Sequence, residues 1–102
     1  MDILKKNTVE PFIVDLRDRL QNIVDMATVT NLRFDVRHFV LEVDTVKVAN
    51  GVPSTDGMKV ICVIDTSTGG GWISDEYRLY IKFTDGTMSP ILFAGKFRVE
   101  DD

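Results

Sequence analysis

Residues 75–86, DEYRLYIKFTDG, constrain the fold more than any other stretch of this chain. Tyr77, Leu79, Ile81 and Phe83 alternate with Arg78, Tyr80 and Lys82, the period of two that a strand with one buried face requires. Asp85-Gly86 then supplies a turn, and a second extended run begins within a few residues. Tyr77 stands two residues before Leu79 and just after a loop. A sandwich domain places its corner tyrosine there, with the hydroxyl bonded back to upstream backbone. The stretch therefore predicts an all-β sandwich with Tyr77, Leu79, Ile81 and Phe83 in its core.

The rest of the chain adds strands and no convincing helix. Residues 1–8 are mostly polar, with Ile3 and Leu4 the only apolar contacts beyond Met1, and read as a flexible N-terminal arm that can dock on a neighbour. Pro11 suits the start of a strand or an edge strand, and residues 12–16 follow it as a first short strand. Residues 17–29 are ambiguous between one amphipathic turn and a loop. Leu32, Phe34 and Val36 alternate with Arg33, Asp35 and Arg37, a half-buried strand. The Val-rich run 38–48 is expected to turn at Asp44-Thr45, and Asn50-Gly51 and residues 53–57 read as turn and loop.

Residues 58–65 are apolar at both parities, with Val60, Cys62 and Ile64 on one face and Ile61 and Val63 on the other. Such a strand is central, or a partner covers its outer face. Three glycines precede Trp72 in a loop expected to be mobile. Ala94-Gly95 suggests a bulge in the last strand, with Phe97 and Val99 inward. About seven short antiparallel strands with turn signals between them favour an immunoglobulin-like β-sandwich over a barrel. No linker divides residues 9–102, which form one domain of ordinary size.

The chemical inventory is sparse. His38 is the only histidine, which excludes a His-rich metal site, and a strand-end position predicts an exposed surface residue. Asp15, Asp18 and Asp25 lack the spacing and the glycine turn of a calcium loop. Gly69-Gly70-Gly71 lacks the Lys-Ser/Thr of a phosphate-binding loop. Cys62, the only cysteine, reads as a buried inert thiol. No catalytic, metal or cofactor site is therefore predicted, and the chain is expected not to be an enzyme. The formal charge of −4 is mixed along the sequence with no visible basic stripe, so nucleic acid is not an expected partner. The N-terminal residues have no apolar core of signal-peptide length, and no run approaches the ~18 apolar residues of a membrane span. Synthesis as a soluble cytosolic product and no membrane partner are the expectation.

Trp72 has three readings: a lid on the open end of the core, an anchor in a partner's pocket, or a platform for a sugar ring. As an interface residue, its replacement by Ala would leave the fold nearly intact.

The segments VDLRDR, LRFDVR, DGMKVICVID and DEYRLYIKFTDG, in this order, resemble the small immunoglobulin-like domains of tailed-phage virions. They are most similar to the N-terminal domain of phage baseplate upper proteins. The resemblance covers residues 9–102. It implies a non-enzymatic structural component of the virion, held by contacts with capsid, neck or tail proteins in multiple symmetric copies. The family's domain is usually fused to a longer receptor-binding or structural region. A domain standing by itself looks more like a decoration protein, an adaptor or a small tail component. On this reading Trp72, Ile61, Val63, Ile3 and Leu4 are the interface candidates, with Phe34 joining the core of residues 77–83. The alternative is a carbohydrate-binding module used in adsorption to the host surface.

Overall fold

A computed structural model describes residues 2–15, 17, 20, 22, 29–40, 43–57, 59–67 and 71–100. Among the described residues all regular structure is strand: β1 (Asp2–Lys5), β2 (Val9–Asp15), β3 (Thr30–Val40), β4 (Val43–Gly51), β5 (Ser54–Asp56), β6 (Lys59–Asp65), β7 (Asp75–Thr84) and β8 (Ile91–Glu100). They form a five-stranded sheet in the order β1-β8-β7-β3-β4 and a three-stranded sheet in the order β2-β6-β5. All pairings are antiparallel except that of β1 with β8, which is parallel.

The stretch that constrains the sequence also centres the larger sheet. Its residues occupy β7, between β3 and β8, and Tyr77, Leu79, Ile81 and Phe83 are all buried. Phe34 and Val36 of β3 and Phe97 and Val99 of β8 flank them on the same inner face. The smaller sheet answers with Phe12, Val60, Cys62 and Ile64. Rings bridge the two layers: Phe12 lies 5.6 Å from Phe97, which stacks at 5.7 Å on Tyr77. Full burial of side chains of this size contributes roughly 1.5–3 kcal/mol each, so this inner face dominates stability.

Local chemistry sets the turns and breaks. Asp85 and Met88 exchange two backbone hydrogen bonds at 2.9 and 3.0 Å, closing a tight turn in which Gly86 takes φ +62°. The expected bulge is present: Leu79 faces Gly95 and Tyr80 faces Phe93, which leaves Ala94 as the extra residue. Gly95 takes φ +147°, a conformation that side-chain-bearing residues avoid.

Four sequence expectations change. Residues 2–5 are not a flexible arm but an edge strand, because Leu4 is buried and a threonine clamp fixes the exit. Thr66 N–H donates to Thr8 O at 2.9 Å, and Thr8 N–H donates to Thr66 Oγ1 at 3.2 Å. The buried Thr66 hydroxyl lies 3.2 Å from the Lys5 and Thr8 carbonyls, and Asn7 between them takes φ +63°. Residues 54–56, read as loop, are a short strand, so eight strands stand where about seven antiparallel ones were expected. Asp44-Thr45 lies inside β4 and not at a turn, since Val40 already pairs with Val43. Asn50-Gly51 also stays within β4: Asn50 takes φ +55°, yet Gly51 still faces Phe34. Most of residues 17–29 and glycines 69 and 70 lie outside the described residues.

Candidate functional site

No reactive constellation assembles among the described residues. Among the described residues no group of His, Cys, Asp and Glu could hold a metal ion. Cys62 lies in the core, where burial pushes its thiol up to about 12, far from a working nucleophile. His38 is not the exposed residue expected. Its side chain is only 15% exposed, its ring stacks on Tyr77 at 4.7 Å, and Nε2 meets Asp75 Oδ2 at 3.0 Å. That hydrogen bond, with a second from the Glu76 N–H, holds the Asp75 carboxyl below its ordinary range. The His38–Asp75 pair ties the end of β3 to the start of β7, a structural role.

Trp72 is buried too, which fits the lid among its three readings and not the exposed anchor. Its ring lies 5.0 Å from Tyr77, and the Lys47 ammonium sits 5.3 Å from its centroid. The cause is the adjacent corner. Tyr77 OH donates to Ile73 O at 3.0 Å and accepts from Ile73 N–H at 3.1 Å, which pulls residue 73 onto the sheet and turns the indole into the core. Leu4 is likewise core. Trp72 and Leu4 therefore leave the set of contact residues, and the carbohydrate reading loses the ring it was built on.

Ile3, Ile61 and Val63 stay outside, on two different faces. The first face is the outer side of the smaller sheet. Pro11 pairs with Val63 and Ile13 with Ile61, alternating with the inward pairs Phe12–Cys62 and Val14–Val60. Val9, Ile13 and Val63 are each more than half exposed, Pro11 is exposed, and Ile61 is half-buried among them. Five apolar side chains thus cover neighbouring positions of one open sheet face, which is more than scattered surface residues. Carboxylates frame them: Asp15, paired with Lys59 at 3.2 Å, Asp65 opposite Val9, and Asp56 opposite Lys59.

The second face is the outer side of the larger sheet, which carries Ile3 beside Arg98. Its centre is aromatic: Tyr80 and Phe93 pair across β7 and β8 with rings 5.6 Å apart, next to the exposed Ile91. Lys5, Arg33, Arg37, Arg78, Lys82, Lys96 and Arg98 occupy outward positions, against Asp35, Glu76 and Glu100. Among the described residues of β1, β3, β7 and β8, seven outward cations stand against three carboxylates, so these four strands carry a positive excess in a chain of −4. No basic stripe is visible along the sequence because acidic residues interleave with the basic ones. Strand register gathers the cations.

Asp35 organises part of that face from beneath. It is 4% exposed, accepts from the Asn50 N–H at 3.0 Å, and meets Lys82 Nζ at 3.0 Å and Arg37 at 3.3 Å. Burial alone would raise its pKa, but the Asn50 N–H, Lys82 and Arg37 together outweigh it and hold the carboxyl below its usual value. Arg37 in turn lies over the Tyr80 ring at 4.8 Å, a cation–π contact that fixes the ring's orientation.

Sequence reasoning missed Val9, Pro11 and Ile13 as surface residues, and Tyr80 and Phe93 as a pair. For Val9, Pro11, Ile13 and Tyr80 the available signal was an apolar residue at the outward parity of its strand, whereas Phe93 turns outward only because the bulge at Ala94 reverses the alternation. No protein-family model matches the chain, and no curated protein matches it either.

Proposed function

We propose that this chain is a non-enzymatic structural component of a tailed-phage virion, a decoration, neck or tail adaptor protein that works through protein–protein contacts on an immunoglobulin-like frame. The observation that carries the contact role is the outer face of the smaller sheet, where Val9, Pro11, Ile13, Ile61 and Val63 form one open apolar surface. Such a face is costly to leave in water and is characteristic of interaction sites. The frame is supported by the corner bond from Tyr77 to Ile73 and by the division of strands between the sheets. Leu79 is buried two residues after the tyrosine, where antibody domains carry their second cysteine. The phage assignment rests on the sequence resemblance. Many copies on a symmetric particle make weak individual contacts sufficient, because later contacts form at high effective concentration.

The test is quantitative mass spectrometry of purified particles, scaled to the major capsid protein. Copy numbers in the hundreds would assign the chain to the shell, and tens or fewer to the neck or tail. Absence from particles would refute the virion reading.

A further inference from the structure

The two outer faces differ in sign, and each has an apolar centre. On the smaller sheet, Ile13, Val63 and their neighbours sit inside a frame of Asp15, Asp56 and Asp65, and Lys59, the cation at a described strand position of β6, is already paired with Asp15. On the larger sheet, Phe93, Tyr80 and Ile91 sit among cations that outnumber the carboxylates of β1, β3, β7 and β8. The faces lie on opposite sides of the sandwich, so no single copy can bring them together.

We propose that the partner of each face is the other face of a second copy, so that copies stack head to tail through unlike sheets. This deepens the contact role proposed above and rests on it. Charge decides between the possible pairings. Joining two large-sheet faces would set two cation-rich surfaces against each other. Joining two small-sheet faces would bring both acidic frames together. Like charges juxtaposed at an interface oppose association, whereas the unlike pairing places acidic frame on basic face around two apolar centres. A contact between different patches does not exhaust itself at two copies, since every added copy presents a fresh face. It closes into a ring or continues as a filament.

Sedimentation velocity of the purified chain over a wide concentration range tests this, with two variants. Phe93→Glu spoils the large-sheet face and Ile13→Lys the small-sheet face. Both positions are more than half exposed, so the fold should tolerate them. Tyr80→Glu and Val63→Lys are the substitutes if either variant melts early. The wild type is expected to form species beyond the dimer as concentration rises, and to dissociate as salt screens the charged frames. Each variant alone should be monomeric. An equimolar mixture should give a dimer and nothing larger, because each variant keeps the one face the other lacks. A wild type that stays monomeric or stops at a dimer would overturn the stacking. So would a variant that still assembles alone, or a mixture that stays monomeric. If the chain were present in particles yet monomeric in solution, stacking would fall and the virion reading would stand.

Discussion

Replacing Tyr77 by Phe isolates the corner from the packing around it. The ring is fully buried and touches His38, Trp72 and Phe97, contacts that Phe would keep. The substitution removes one oxygen, which donates to Ile73 O at 3.0 Å and accepts from Ile73 N–H at 3.1 Å. A net intramolecular hydrogen bond is worth about 0.5–1.5 kcal/mol. Two would give ~1–3 kcal/mol, but the half-exposed Ile73 can recover water for its backbone, which puts the expected loss at about 1–2 kcal/mol. Urea denaturation at neutral pH measures it directly. In thermal unfolding the same loss lowers the midpoint by roughly 5–15 °C in a domain of this size. The pH dependence supplies a second check. Burial raises the Tyr77 pKa above its ordinary 10.0, so the folded state holds the phenolic proton more tightly than the unfolded state does. That contribution is fully present below the unfolded value and is lost as pH rises through the folded one. The gap between wild type and Tyr77→Phe should therefore narrow above about pH 10. Unchanged midpoints at neutral pH, or a gap that stays constant into alkali, would refute the corner as an energetic feature.

Three further outcomes follow from the same coordinates. Trp72→Ala should cost ~3–5 kcal/mol as a core truncation, read from the urea midpoint. An intact midpoint would put the indole back on the surface. Gly51→Ala would drive a Cβ to 2.5 Å from Phe34 Cζ, an overpacking expected to cost about 1–3 kcal/mol, with Phe34→Leu relieving part of it in the double variant. Additive costs in that pair would count against the clash. Asp35, with its lowered pKa, stabilises the fold above the unfolded carboxylate range near ~3.9, and this is lost as pH falls through the folded value. Acid titration of stability should therefore fall more steeply for the wild type than for Asp35→Asn.

What the sequence disclosed follows from which interactions are local. Alternation in residues 75–84 depends only on neighbours along the chain, so the inward set of β7 could be read directly, and so could the two-sided apolar strand at β6. The bulge at Gly95 was readable for the same reason, since glycine itself carries the conformational freedom. β1 was hidden because only Leu4 of its four residues needs the core, and its parallel partner β8 lies more than ninety positions away. Trp72 was left with three readings because parity stops at the end of a strand, and only the Tyr77–Ile73 bond decides which way a loop residue turns. The candidate faces show the same limit more strongly. Parity alone says that Arg37 and Tyr80 point outward, but it would turn Phe93 inward with Phe97 and Val99 were it not for the bulge at Ala94. It does not say that register sets Tyr80 opposite Phe93 and beneath Arg37, with Lys82 beside Ile91. A chain of −4 can therefore carry a sheet face with an excess of cations, because acidic residues that interleave with basic ones in one dimension are sorted to other surfaces in three. Net charge bounds the average potential of a sandwich, and strand register determines what a partner meets.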